Sequence, residues 1–299
     1  MARYYVTAQD NGGRASRWPL FLDPVASAEY QGAVVRNPAV TSPLPVLQWF
    51  AQNTAAADTA TGTRCSFFYD GEFYDNVYIR IRGQTSRSYP KKSYKVEVNP
   101  EHQFRYRPDL SRVSEFDLNS TYTDKAYVRA LLAYEHMRDS GLPCPEIFHV
   151  QLQQNGAFYS VSMFVENPDK DYLRHQGLAD TGALYKGNQS SYAVNIALYE
   201  KHNPKDGNIS DLQAFFSGLQ LSGGALENYL FDNVDVTEVV NYMATMAITQ
   251  DIVGTANPGG QPPFVPLQFA GAEVNPPSGV QDQEYLCLTN ATRPTPSSS

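Results

Sequence analysis

A cluster of basic and small polar residues between positions 82 and 98 is the clearest candidate for chemistry in this sequence. The stretch reads RGQTSRSYPKKSYKVEV, and it holds Gly83, Ser86, Lys91 and Lys92 within a chain whose net charge is −8. Backbone N–H groups, small hydroxyls and lysine ammonium groups are the donors that phosphoryl-transfer proteins aim at phosphate oxygens. A basic cluster in an acidic protein therefore predicts a bound anion at this stretch.

Strand alternation places Lys92 on the apolar face of the strand that follows this turn. Tyr94, Val96 and Val98 share one face by the two-residue repeat of a strand, and Lys92 has the same parity, whereas Lys91 is expected to point outward. A lysine on an apolar face is costly unless an anion meets it. The alternative interpretation is a solvated strand edge, which lysines commonly protect.

An acid for this lysine is offered by a predicted helix. The segment DKAYVRALLAYEHMRDSG predicts a helix that Asp124 can cap and Gly141 can end. Val128, Leu131 and Glu135 recur on one stripe of that helix. Glu135 is therefore expected to face inward as a partner for a lysine, the alternative being an ion pair with a basic residue on the same helix.

A second predicted helix delivers two further oxygen-bearing residues. The segment DVTEVVNYMATMAITQ opens with Asp235 and Glu238 at the spacing of a capping box. The loop after it carries Asp251 and Asn257. Phosphoryl transfer needs an acid beside the nucleophile and oxygen ligands for Mg²⁺, and these two residues have that chemistry. A loop acid without a chemical role remains the alternative for Asp251.

Turn signals and periodicity indicate the elements that must position these residues. Asp70-Gly71 and Asn155-Gly156 each predict a hairpin turn between strand-like runs. Residues 1–62 predict an extended wrapping segment with one short helix around Val46–Asn53, and the chain is expected to be mostly helical from about residue 170. The predicted class is α+β, with a sheet-rich first part, a helical second part and a ligand cleft between them.

Composition excludes several classes of protein. Hydrophobic residues make up 42% of the 299 residues and charged residues 18%, which is typical of a folded chain. The acidic balance argues against nucleic acid as a partner. No apolar run approaches the roughly 20 residues of a membrane span, and no apolar region at the start predicts a signal peptide. The three cysteines have no metal-type spacing.

Four motifs together resemble the CotH family, the spore-coat-H-like atypical protein kinases. They are RGQTSRSYPKKSYKVEV, DKAYVRALLAYEHMRDSGLP, QQNGAFYSVSMFVENPDKDYL and GALYKG, and the resemblance runs through residues 65–257. It implies a divergent protein-kinase-like fold with a sheet-rich N-lobe and a helical C-lobe. It also implies ATP with Mg²⁺ or Mn²⁺, and phosphate transfer to Ser or Thr of surface or coat proteins. The implied setting is a larger, extracytoplasmic cell-surface protein.

The resemblance also implies roles for individual residues. The motif PKKSY implies that Lys92 contacts phosphate, with Lys91 as the second candidate. The motif FVENPD implies that Glu166 lies at the hinge near the adenine. The segment TQDIVGTAN implies that Asp251 lies beside the nucleophile and that Asn257, with Asp251, binds the metal.

The C-terminal part departs from the family pattern. Family members continue with a WDxD-type motif whose aspartate binds metal, and this sequence lacks it. Residues 261–299 instead resemble the opening of a lamin-tail-like β domain, so the expected organisation is a wrapping segment (1–62), a kinase-like domain with an incomplete C-lobe (63–260) and a partial second module (261–299). The missing motif predicts weak or absent transfer. A non-catalytic surface-binding or structural module and a carbohydrate- or protein-binding adhesin stay open as alternatives.

Overall fold

The computed structural model describes residues 1–20, 29–35, 41–83, 85–187, 196–249 and 284–288. The chain divides into two compact units. Unit 1 comprises Met1–Tyr122 with Glu146–Asn167, and unit 2 comprises Thr123–Pro145 with Pro168–Ser299. The chain contains both sheets and helices, which confirms a mixed α/β class. Within the described residues, no helix has the length and apolar character needed to cross a membrane.

Four short strands open unit 1. They are β1 (Ala2–Tyr4), β2 (Val6–Gln9), β3 (Ala15–Trp18) and β4 (Gln31–Ala33). Strand β1 pairs with β4, and β2 pairs with β3, both antiparallel. The backbone of β4 packs closely on the ring of Phe73 at Gly32. A Cβ atom at this position would lie 2.3 Å from the ring, so the contact needs glycine.

A closed barrel of seven strands forms the body of unit 1. Its strands are β5 (Val46–Phe50), β6 (Thr63–Tyr69), β7 (Glu72–Ile81), β8 (Tyr94–Glu97), β9 (Glu115–Asn119), β10 (Ile147–Gln154) and β11 (Ala157–Glu166). The order around the barrel is β10-β11-β9-β8-β7-β6-β5. A parallel pairing of β5 with β10, in which Val46 lies opposite Gln151, closes the barrel.

The prediction of a short helix around Val46–Asn53 is wrong for most of that range. Val46–Phe50 is strand β5, and the helix α1 covers only Thr54–Ala57. The Asn53 side chain caps it by accepting a hydrogen bond from the backbone N–H of Ala56 at 3.2 Å. A short apolar run fits a buried strand or a buried helix equally well, and here pairing with β6 and β10 decides the outcome.

Aromatic side chains fill the barrel. The Phe104 and Phe116 rings lie 4.5 Å apart between centroids, and Phe116 lies 5.0 Å from Phe164. The predicted inward face of β8 is confirmed, because Tyr94, Val96 and the following Val98 are all buried. Both predicted hairpin turns are also confirmed: the two central residues of each, at 70–71 and 155–156, have positive φ angles.

Unit 2 combines five helices with a three-stranded sheet in the described residues. The elements are α2 (Arg129–Asp139), α3 (Lys170–His175), β12 (Ala183–Gly187), β13 (Tyr199–Asn203), α4 (Ser210–Gly218), α5 (Gly224–Asn233), α6 (Val236–Thr249) and β14 (Glu284–Leu288). Strand β12 pairs antiparallel with both β13 and β14. The predicted helical region after residue 170 is thus confirmed in part, since it also contains this sheet.

The predicted cap of α6 and the predicted end of α2 are confirmed, whereas Asp124 is not the N-cap of α2: that position is Val128, which makes no side-chain capping hydrogen bond. The Asp124 carboxylate accepts the backbone N–H of Arg129, the first residue of α2, at 2.8 Å. Gly141, with φ +75°, follows the end of that helix. The Asp235 carboxylate accepts the backbone N–H of Glu238 at 2.9 Å at the start of α6.

Candidate functional site: the basic segment of the barrel

The basic segment, residues 82–98, is a short excursion between two neighbouring barrel strands and runs into the second of them. Strand β7 ends at Ile81, and the positive φ of Gly83, +95°, turns the chain out of the strand. A single 3₁₀ turn follows over Thr85–Ser88. The backbone N–H of Arg82 donates to the carbonyl of Ser93 at 2.9 Å, which closes the base of the excursion.

The prediction that Lys92 lies on the apolar face of a strand is wrong. Lys92 precedes β8 and is only half-buried. Its Nζ donates to the backbone carbonyl of Arg87 at 2.7 Å. The strand repeat does not extend back to Lys92 because the intervening Ser93 is itself buried, where its hydroxyl accepts the backbone N–H of Ser120 at 3.0 Å.

This placement brings the Lys92 ammonium to the 3₁₀ turn, which carries other donors. An ammonium group has three N–H donors, and the Arg87 carbonyl takes one of them. Arg87 itself is exposed, and Ser86 on the same turn is half-buried. The turn therefore offers the donors of a phosphate-binding site. These donors lie outside a strand, whereas the sequence predicted Lys92 on a strand face.

Lys91 anchors the excursion to the barrel. It is half-buried rather than outward-pointing, and its Nζ donates to the backbone carbonyl of Val161 on β11. The expectation that Lys91 points outward is therefore wrong. Its contact ties residues 82–92 to a strand that lies outside their own hairpin.

Arg82 is a site residue that the sequence argument missed. Its guanidinium donates to Oδ1 of Asn119 at 2.7 Å and lies 3.0 Å from Oδ2 of Asp117. Both charged side chains are nearly buried, with 12% and 5% of their surface exposed. On the same strand, Glu115 lies 2.6 Å from Lys95. The alternating acids of SEFDLN, two residues apart, were the available signal, and they supply much of the negative charge that the basic cluster meets.

The Glu166 side chain lies in the interior of unit 1, where both of its carboxylate oxygens accept hydrogen bonds. It is fully buried at the end of β11. Its Oε2 accepts the backbone N–H of Glu146 at 3.1 Å, and its Oε1 accepts the hydroxyl of Tyr106 at 3.4 Å. Burial, and then the negative charge of Glu166, raise the pKa of Tyr106. The carboxylate thus holds two parts of the barrel together, and an adenine contact at this position stays a prediction.

The prediction that Glu135 faces inward is wrong. Glu135 is exposed on α2. The buried face of that helix consists of Ala130, Ala133, Tyr134 and Met137. The stripe that the sequence suggested is the solvent face, on which Leu132 is 57% exposed. Two small alanines define the packed side here, because close packing depends on shape as well as on hydrophobicity. Lys92 belongs to unit 1 and Glu135 to unit 2.

The predicted catalytic and metal-binding residues Asp251 and Asn257 lie outside the described residues. In the part of the chain that the structure describes, no group of three or more His, Cys, Asp or Glu side chains could hold a metal ion. The metal site therefore stays a prediction from the sequence.

Comparison with known protein families gives one match. A family model described as CotH kinase protein matches residues 79–254. The matched range contains the basic segment, α2, Glu166 and Asp251, and it ends before Asn257. No curated protein matches the chain.

Proposed function

Because this chain belongs to the CotH kinase protein family, we propose that it is a kinase-like domain that binds ATP at the basic segment of unit 1. The observation that supports this most directly is that the family match includes the whole segment, in which the Lys92 ammonium reaches the 3₁₀ turn that carries Ser86 and Arg87. In this proposal unit 1 is the sheet-rich lobe of a divergent kinase-like fold and unit 2 the helical lobe.

The proposed roles follow the chemistry of each residue. Lys92 contacts phosphate oxygens through the N–H donors that Arg87 does not take, and the backbone at Gly83 and Ser86 adds neutral donors. Lys91 keeps the segment against β11 and acts as a positioning residue. ATP supplies the phosphoryl group. The segment around Glu166 is the proposed hinge, by family resemblance.

The proposed reaction is phosphate transfer to Ser or Thr of a surface or coat protein outside the cytoplasm. Asp251 accepts the proton of the attacking hydroxyl, and Asp251 with Asn257 binds Mg²⁺ or Mn²⁺. We expect this transfer to be weak, because Asp251 is the only carboxylate between positions 251 and 272. Metal ions normally neutralise the phosphates through one or two protein carboxylates.

A second candidate function is a non-catalytic surface-binding or structural module on the same framework. It is favoured by the internal pairing of the basic segment. Arg82 pairs with Asp117, Lys95 pairs with Glu115, and the Lys92 ammonium donates to the backbone carbonyl of Arg87. Cations that are already paired contribute less to binding an external anion.

Thermal unfolding with ATP, with and without Mg²⁺ or Mn²⁺, separates the two candidates. ATP at 100 times its dissociation constant should stabilise the folded protein by about 2.7 kcal/mol. Lys92→Ala should abolish the increase in Tm. Lys91→Ala is the matched control, and it should lower the starting Tm while retaining the increase with ATP.

Two results would contradict ATP binding at Lys92. An unchanged Tm at every nucleotide concentration would favour the non-catalytic module. Equal loss of the increase in both lysine variants would indicate diffuse attraction instead of a specific contact. Transfer itself is measured with radiolabelled ATP and a Ser/Thr-rich protein acceptor, and robust transfer that Asp251→Ala abolishes would refute the expectation of weak activity.

A further inference from the structure

The hairpin formed by β2 and β3 is exposed along nearly all of its length. Every residue of both strands is exposed except Arg17, which is half-buried. Val6 lies opposite Trp18 in the register, and these two side chains are 53% and 51% exposed. A cross-strand pair of this size normally packs against something, and exposed apolar patches commonly mark interaction sites.

An arginine–tyrosine stack holds the base of this hairpin. The guanidinium carbon of Arg17 lies 4.6 Å from the ring centroid of Tyr5 and 4.9 Å from that of Tyr30. On Tyr30 a second guanidinium, that of Arg3, lies at 4.5 Å. Buried Asp75 fixes the stack to the barrel, because it accepts from Arg3 and from the backbone N–H of Tyr30, both at 2.9 Å. The hairpin is therefore presented from a firmly attached base.

The charge of Arg17 is not neutralised as that of Arg3 is. Arg3 is paired with Asp75, whereas Arg17 has no acidic partner among the residues described and its Nη2 has no hydrogen-bond acceptor. Residues 1–20 contain three arginines and one aspartate in a chain of net charge −8. Because Asp75 neutralises Arg3, Arg14 and Arg17 remain against Asp10 in this stretch. The hairpin is therefore slightly basic within an acidic chain, which favours a negatively charged partner.

The backbone of the hairpin points to the kind of partner. Strands β2 and β3 pair only with each other in the described part of the chain, so each has an open edge. Isolated two-stranded hairpins are marginally stable, and an extended peptide can add a third strand to such an edge. Tryptophan, tyrosine and arginine are also the residue types that carry most energy in protein interfaces.

We propose that the β2–β3 hairpin docks an acidic, extended segment of a partner protein. The segment adds as a strand along the open edge of β3, packs its apolar side chains on Val6 and Trp18, and places carboxylates near Arg14 and Arg17. This docking is independent of nucleotide binding at the basic segment.

Fluorescence anisotropy with a labelled eight-residue peptide of alternating Glu and Val tests the proposal in the absence of nucleotide. Binding should weaken at least tenfold in Trp18→Ala and in Arg17→Gln, and it should weaken at high salt. Phe158→Ala is the matched control, since Phe158 is 65% exposed on the β10–β11 hairpin of unit 1. Thermal unfolding of each variant establishes that it is folded. Trp18→Ala serves if Arg17→Gln is not folded, because the Trp18 side chain is exposed and takes no part in the arginine–tyrosine stack.

The probe has two control peptides. An equally charged peptide with two valines replaced by proline cannot form a strand, and a Lys–Val peptide has the opposite charge, so neither should bind. Binding of either control as well as the Glu–Val peptide, equal loss in Phe158→Ala, or no binding at all would overturn the proposal. Binding of polygalacturonate in place of the peptide would overturn it as well, by assigning the surface to an acidic glycan.

Discussion

Unit 1 contains two basic regions that resemble each other in composition and differ in what their charges meet. In the basic segment, Arg82 and Lys95 lie against the acids of β9. In the N-terminal hairpin, Arg17 lies on tyrosine rings and meets no acid among the described residues. A count of charged residues alone would not distinguish the two regions.

The difference shows that the environment of a cation decides its effect. A nearly buried guanidinium that is paired and hydrogen-bonded becomes part of the fold, because removing its partner leaves an uncompensated charge. A cation that lies on tyrosine rings without an acid in contact supports the fold through those rings, and its charge is not neutralised by a counter-ion. Variants in both regions test this contrast through the free energy of unfolding.

Asp117→Ala should cause the largest loss of stability. It removes the ion-pair partner of the nearly buried Arg82, and breaking a buried pair in this way costs about 3–5 kcal/mol. Urea unfolding followed by the fluorescence of Trp49, which is buried in the barrel, measures the free energy of unfolding of unit 1. Arg17→Gln is the control and should cost less, about 1–2 kcal/mol, because it removes ring contacts and leaves no acid unpaired. Equal losses in both variants would remove the contrast between the two regions.

Glu72 should make unit 1 sensitive to acid. Its carboxylate binds Arg112 at 2.7 Å and Arg105 at 2.9 Å. The hydrogen bond from Arg112 is the main cause that lowers the pKa of Glu72 from 4.5 to about 2. Since the folded-state pKa is below the ordinary value, the stabilisation is present above pH 4.5 and is lost as the pH falls towards 2.

Circular dichroism between pH 5 and pH 2 checks this sensitivity. Glu72→Gln should lower stability at neutral pH and flatten its dependence on pH over this range. An acid response as steep as that of the natural sequence would show that other carboxylates control it. The effect should be smaller than that of Asp117→Ala, because the Glu72 side chain is 23% exposed.

Lys91→Ala should cost about 1 kcal/mol, the usual net value of one hydrogen bond. The substitution removes the donor that reaches the carbonyl of Val161. Lys92→Ala should cost less, because its acceptor belongs to the exposed turn at Arg87. Urea midpoints of the two variants decide the order, and a reversed order would place the structural role on Lys92.

Trp18→Ala should have the smallest effect on stability, less than about 0.5 kcal/mol, since the side chain is exposed. Differential scanning calorimetry measures the change in Tm. A loss of several kcal/mol would mean that Trp18 is part of the core of unit 1, and the proposed docking surface would then lose its apolar member.

Features that depend on local chain geometry were predictable from the sequence. The turns at 70–71 and 155–156 need residues that accept positive φ angles, and the pairs Asp-Gly and Asn-Gly in the sequence predict such turns. Asp235 directly precedes α6, the helix that it caps. The inward face of β8 was predictable because it alternates over a few residues.

Features that depend on distant partners were not predictable in the same way. The strand β5 is decided by β10, about a hundred residues later. Arg82 was missed because its counter-ion is 35 positions away on another strand. Glu135 was placed on the wrong face because hydrophobic periodicity marks apolar residues, whereas the packed face of α2 is defined partly by alanine. Lys92 was misplaced because the burial of Ser93 interrupts the repeat.

The pairing of Val46 with Gln151 has a consequence for biosynthesis. Strand β5 leaves the ribosome long before β10 exists, and translation at 5–20 residues per second makes the interval about 5–20 s. During that time the backbone edge of β5 that will pair with β10 has no partner strand. The final step of barrel assembly therefore waits for the ribosome, and a nascent chain stalled before residue 151 would present that edge to holdase chaperones.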